Sequence, residues 1–407
     1  MRRLSAGVLA VALLAGGCAG LPVVAPPSGP AQTAPTLDAE AQALARVETY
    51  DDPLLAEYLA TIADRLAGEE ERESGAAPVT ITVLRDPTIN AFALPDGRVY
   101  VHTGLLSRLA NEAQLAAVLA RELTHARRRH GLLARASEGD VTAAIAALAP
   151  ALTAAAGETD EAAGRPLSPV ASAILGGRLT HAYTAAFTGH GRELERAADA
   201  GALERLVRAA WDPKEAPRAF ERLRREARAG GVAERFHLGN DAALADRVES
   251  TQRLVTAVYA VAAALPDTNR ETEDFEPVLA PMVRENARLE LRAGRLRAAQ
   301  AQLDRVLAHT PGDGRAYLYY GDLHRVRAQR ARSVADRDEL ARRALAAYER
   351  AAALDPALGE VSRQVGLLYY QQGRVDRARE AFEQYITRNP DAPDVARVRE
   401  YVRVLTP

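Results

Sequence analysis

Pro356 and Pro390 stand 34 residues apart, and between them Gly366, Tyr369, Ala378 and Phe382 occupy a spaced set of small and aromatic positions. The preceding stretch repeats the set with Gly321, Ala344, Tyr348 and Pro356, and a weaker copy is left by Ala299 and Pro311. Pro311 and Pro356 are separated by 45 residues, the same period with 11 extra residues around Arg330 to Asp338. A unit of this length is one pair of helices. Such a unit cannot bury its apolar face alone and must stack on its neighbours. From about Ala280 onward the chain is therefore restricted to an α-helical superhelix, with 393–405 as its capping helix.

Upstream, residues around 115–130 read as a helix in which Leu115, Val118, Leu119 and Leu123 form the apolar stripe. Arg121 and His125 are four apart and share a face, with Glu122 beside them. His, Glu and His at the first, second and fifth of these positions would make the zinc-protease motif H-E-x-x-H. In that motif two imidazoles hold the metal and the Glu takes a proton from the metal-bound water. Here the first His is Arg121. A guanidinium stays protonated and has no lone pair to offer, so it cannot ligate zinc. Taken alone, a Glu-x-x-His is equally a solvated helix face. A second long helix is expected over Gly189 to Ala210, closed by Trp211-Asp212-Pro213, and Glu195 and Asp199 share one of its faces.

The chain begins with a basic Met1-Arg2-Arg3, an apolar Leu4 to Ala15 too short to span a bilayer, and Ala15-Gly16-Gly17-Cys18. Cys18 is the only cysteine, which excludes an intrachain disulfide. Small residues before a lone Cys resemble a bacterial lipobox, in which Cys18 becomes the lipidated first residue, and Ala19 resembles the signal for outer-membrane sorting. Leu21 to Thr36, rich in Pro and Ala, suits a flexible tether. Leu37 to Leu66 is expected to be helical, ending near Gly68. Val79 to Val83 alternates as a strand, and a second pair of strands brackets the turn Pro95-Asp96-Gly97-Arg98. Asn111-Glu112-Ala113-Gln114 looks like a capping box opening the site helix, and Gly131 suits its end. Val141 to Ala156, interrupted by Pro150, suits a packed helical hairpin better than a membrane span. The net charge of −2 gives no electrostatic case for nucleic acid.

Three consecutive blocks carry a resemblance: Asn90 to Pro95, Val99 to Leu106, and Asn111 to Leu119. Together with Glu195-Arg196-Ala197-Ala198-Asp199 they resemble the HtpX/BepA-like zinc metallopeptidases (peptidase family M forty-eight), especially periplasmic lipoprotein members. The C-terminal period and residue types are those of the tetratricopeptide repeat, which some of those members carry. The resemblance covers roughly Glu40 to Leu254. It implies Glu122 as general base, His125 and Glu195 as zinc ligands, Asp199 as the residue orienting a metal-binding His, and a structural His130. His237 stands where many members have a His-Pro and is a possible further ligand, although Leu238 replaces the Pro. Arg121 is the departure: it removes one ligand of three and is free to pair with Glu195 or Glu122 across the two helices.

The expected fold is mostly α, of the α+β kind: a zincin-like metallopeptidase domain with a small β-sheet, followed by a tetratricopeptide superhelix. The expected divisions are a signal peptide (1–18), a tether (19–37), the peptidase-like domain (38–265), a linker (266–279) and the repeats (280–407). Three functional readings stand. The first is a lipid-anchored scaffold on the periplasmic face of the outer membrane. It binds unfolded or assembling outer-membrane proteins and their assembly machinery through the repeats, with proteolysis weak or lost. The second is a working zinc metalloendopeptidase for misfolded envelope proteins. The third is an adaptor whose repeats alone matter.

Overall fold

The computed structural model describes residues 48–73, 79–94, 97–128, 192–230, 241–265, 269–270 and 272–406. Cys18, the tether, His130, Gly131, the expected hairpin at 141–156 and His237 all lie outside the described residues. The chain is mostly helical with one small sheet. Helix α1 (Pro53–Glu73) precedes strands β1 (Thr80–Leu84), β2 (Ala91–Ala93) and β3 (Arg98–His102). The sheet order is β1-β3-β2. β1 runs parallel to β3, pairing Ile81 with Val99, and β2 runs antiparallel to it, pairing Phe92 with Tyr100. The turn between β2 and β3 carries Gly97 at φ 96°, a value that favours glycine.

The last strand feeds a single turn, α2 (Thr103–Leu106), then the site helix α3 (Glu112–Arg127). Asn111 caps α3 by accepting from the Gln114 amide at 2.8 Å. The returning bond differs from the expected box: Gln114 Oε1 accepts from the Ala110 amide at 2.9 Å, one residue earlier. After the undescribed stretch come α4 (Arg192–Arg208), α5 (Glu215–Gly230), α6 (Asp241–Ala257) and α7 (Ala260–Ala264). The repeats are α8 (Phe275–Arg292) with α9 (Leu296–His309), α10 (Gly314–Arg330) with α11 (Val334–Leu354), and α12 (Glu360–Gln371) with α13 (Val375–Arg388), closed by α14 (Val395–Leu405). The 11 extra residues form no long loop. They lengthen the middle pair, whose helices have 17 and 21 residues against 12 and 14 in the next pair.

Two expectations are corrected. Where described, the first helix starts at Pro53, because Thr49 bridges Leu84 beside the sheet; its regular part ends at Gly68, as expected, and a second short helical segment follows the break. Gly68, at φ 76°, kinks the helix and frees carbonyls that Arg205 and Arg208 recover, each donating to the Leu66 oxygen at 3.1 Å. The stretch expected as a linker is likewise stitched to the peptidase-like half wherever it is described. Asp212 donates its amide to the Asn269 carbonyl at 3.0 Å and Ala113 to that of Arg270 at 2.9 Å. The Thr272 hydroxyl donates to Glu112 at 2.6 Å.

Helix α8 then continues the contact. Its Asn286 and Glu290 are fully buried. Asn286 accepts from the Thr103 hydroxyl at 2.8 Å and donates to Ser107 Oγ at 3.1 Å, while Glu290 accepts from Arg108 at 2.7 Å. One apolar core accordingly runs from Leu55 of α1 through α3 and α8 to Leu368 of α12. A separate cluster of Ala378, Phe382, Tyr385, Val395, Val398 and Leu405 closes the far end.

Candidate functional site

Helices α3 and α4 cross closely because Gly201 on α4 faces Thr124 on α3. A Cβ on Gly201 would lie 2.6 Å from the Thr124 methyl, so a larger residue would force the helices apart. This crossing puts Arg121 and Glu122 of α3 against Glu195 and Asp199 of α4. Arg121 is 5 % exposed, Glu122 2 % and Asp199 1 %.

The Arg121 guanidinium is the centre of the arrangement. It donates through Nη1 to Glu122 and through Nη2 to Glu195, and its Nε lies 3.4 Å from Asp199 Oδ1. Glu195 Oε2 also accepts from Arg247 Nη2 of α6. Two guanidiniums thus meet three carboxylates. Burial on its own would lower the Arg121 pKa, yet Glu195, Glu122 and Asp199 together push it up, so the group is a fixed cation. Asp199 fares differently. Burial, only partly opposed by Arg121 and Arg247, raises its carboxyl to about 6, and neither of its oxygens makes a hydrogen bond.

Of the residues singled out in the sequence, the structure therefore brings together Arg121, Glu122, Glu195 and Asp199, with His125 buried one turn further along α3. Arg247 was not among them. Leu244, Arg247, Thr251 and Val255 are the buried positions of α6. An arginine in such a stripe requires a buried acid opposite it.

The family model of peptidase family M48 matches residues 53–272, more than half of the chain. The chain belongs to this family. A tetratricopeptide-repeat model matches residues 329–403. The beta-barrel assembly-enhancing protease of Escherichia coli (strain K12) is 34% identical over 185 residues, 44% of this chain and 34% of that protein. A putative beta-barrel assembly-enhancing protease of Vibrio cholerae is 33% identical over 181 residues, again 44% of this chain and 34% of the relative. The mitochondrial metalloendopeptidase OMA1 of Schizosaccharomyces pombe is 32% identical over 143 residues, 35% of this chain and 36% of its own length. The chain spans about a third of the length of these relatives.

Membership in the M48 family implies a metal cofactor, typically zinc. A catalytic zinc takes three protein ligands and a water. Among the described residues no group of three or more His, Cys, Asp and Glu side chains is placed to hold a metal ion. Glu195 is already engaged by Arg121 and Arg247, and Glu122 by Arg121. A divalent cation brought here would face two fixed guanidiniums at contact range. The described residues do not fit the metal.

Proposed function

We propose that this chain is an M48-family protein of the bacterial envelope that acts in outer-membrane protein assembly or quality control, with proteolysis impaired or absent. The observation that carries the second half is the Arg121 guanidinium, bonded to Glu122 and Glu195 where the family's first metal-binding imidazole is expected. A carboxylate paired to a buried guanidinium is a weakened base, and an arginine supplies no ligand. What remains is an array of repeats, the kind of extended surface that binds polypeptides. Support for the setting comes from the relatives named beta-barrel assembly-enhancing proteases. The proposed clients are unfolded or assembling outer-membrane proteins and their assembly machinery, bound through the repeats.

The test is metal content and turnover. The chain as it stands should hold substoichiometric zinc and leave casein intact. Arg121→His should bind about one zinc, completing a set of two His and one Glu. Glu122→Gln on that background should keep the zinc and silence any cleavage. Stoichiometric zinc in the unmodified chain, with cleavage that depends on Glu122, would overturn this reading. It would favour the second one, a working zinc metalloendopeptidase with His237 recruited as a ligand, which the relatives' names as proteases support. Attachment to the periplasmic face of the outer membrane through lipidated Cys18 belongs to the same proposal. Among the described residues no helix is long and apolar enough to cross a membrane. Cys18→Ser should move the protein from the membrane fraction to the soluble one, and a variant that still pellets would refute the anchor.

A further inference from the structure

A cavity of about 320 Å³ opens where the peptidase half meets the first repeat helices. Arg108 after α2, Arg222 on α5 and Arg305 on α9 line it, together with Glu226 and Glu276. The three arginines are not equivalent. Arg305 is paired to Glu276: its Nε donates to Oε1 at 3.1 Å and to Oε2 at 2.9 Å, its Nη2 lies 2.9 Å from Oε1 without a hydrogen bond, and its Nη1 donates to the Leu109 carbonyl at 2.9 Å. Arg108 is 4 % exposed. It donates through Nη2 to Glu290 at 2.7 Å and through Nη1 to the Gly104 and Pro87 carbonyls at 2.7 and 3.2 Å. Its Nε is buried without a hydrogen-bond partner, and Glu226 Oε2 is 3.8 Å away. Arg222 donates Nε to the Arg108 carbonyl and has no ion-pair partner among the described residues.

Arg108 is paired with Glu290 and Arg305 with Glu276, so Arg222 is the lining cation without an ion pair among the described residues. Burial, together with repulsion from Arg305 and Arg225, lowers the Arg222 pKa in spite of Glu226 and Glu276. A cation in that position gains from a negative partner. We propose that this cavity binds a small oxyanion, a carboxylate or phosphate group, held by the free edge of the Arg222 guanidinium and by Arg108 Nε. A guanidinium fork matches the two-oxygen edge of either group. Glu226, whose side chain is 41 % exposed, is the internal carboxylate nearest Arg108 Nε, and the incoming anion displaces it. Arg108 and Arg222 belong to the peptidase half, and Glu276 and Arg305 to the repeat helices. An occupied cavity thus bridges the two.

The full-length chain, titrated calorimetrically at matched ionic strength, tests this. The probes are inorganic phosphate and trialanine with a free C-terminal carboxylate, with trialanine amide as the control. Saturable binding of phosphate, of the free-acid peptide or of both, with the amide silent, is the expected result, and which probe binds identifies the source of the oxyanion. Arg222→Gln should weaken binding about tenfold or more, the value of a charge-assisted bond. Glu226→Gln should tighten it by removing the competing carboxylate. No saturable binding of either acid probe, or affinity unchanged in both variants, overturns the assignment.

Discussion

In the repeats, two helix pairs place a glycine against a ring. A Cβ on Gly321 would lie 2.3 Å from the Tyr348 ring, and one on Gly366 2.6 Å from that of Phe382. In the peptidase half the crossing at Gly201 is just as close, but beside it α3 and α4 bury a guanidinium among three carboxylates. Both devices hold helices together, and they respond differently to damage. The Phe382 ring in its glycine notch is satisfied by shape, and its loss costs contact area, whereas the Tyr348 hydroxyl also donates to Asp322 at 2.8 Å. A charge cluster is satisfied only as a set, and removing one member leaves the others buried without compensation.

The sharpest way to break this comparison is Arg121→Met, which keeps the volume and removes the charge. Glu122, Glu195 and Asp199 then lose the guanidinium that they share, and a loss of about 3–5 kcal/mol is expected in denaturant unfolding. A loss below about 1 kcal/mol would show that the cluster is no more demanding than a surface pair. Next in size, Gly366→Ala drives a methyl into the Phe382 ring and should cost about 1–3 kcal/mol. Phe382 belongs to the separate far cluster, so faster hydrogen exchange should stay within α12 to α14 and leave α3 and α4 unchanged. Exchange that also rises in α3 would remove the distinction between a local and a collective device.

The smallest expected effect is a pH dependence. Burial raises the Asp199 carboxyl above its ordinary value, to about 6. Its contribution is therefore fully present below the unfolded pKa and is lost as pH rises from about 4 through about 6. Relative to Asp199→Asn, the parent protein should lose on the order of 1–2 kcal/mol across that window, the coupling to Arg121 reducing the full effect of the shift. A stability difference that is flat from pH 4 to 7, measured by urea titration, would mean that Asp199 titrates normally.

The two devices were also unequally legible. Tyr348 and Phe382 stand 34 residues apart, and Gly321 and Gly366 fall into the same register once the 11 extra residues are allowed for, so the repeat could be read from spacing. The α3 spacing put Arg121, Glu122 and His125 together on one helix for the same local reason. Arg247 escaped notice because it lies 52 residues from Glu195 in the chain, and no periodicity links them. The stop near Gly68 was legible, because a glycine at positive φ breaks the helix, whereas the arginines that recover its carbonyls come from α4 and leave no local mark. The stretch before α8 read as a linker because it is polar and carries proline. Its bonds to Asp212, Ala113 and Glu112 are long-range and leave no local mark.

Helix α8 has a mechanical consequence. It is at once the first helix of the repeats and a wall of the peptidase half, fixed there by Asn286 and Glu290 and by the apolar side chains of Leu279, Met282 and Val283. A joint whose pivot is part of both bodies cannot swing. A load on the outermost repeats would be delivered as torque to the side chains that join α8 to α2, Asn286 and Thr103 among them. The array then works as a lever arm clamped to the peptidase half.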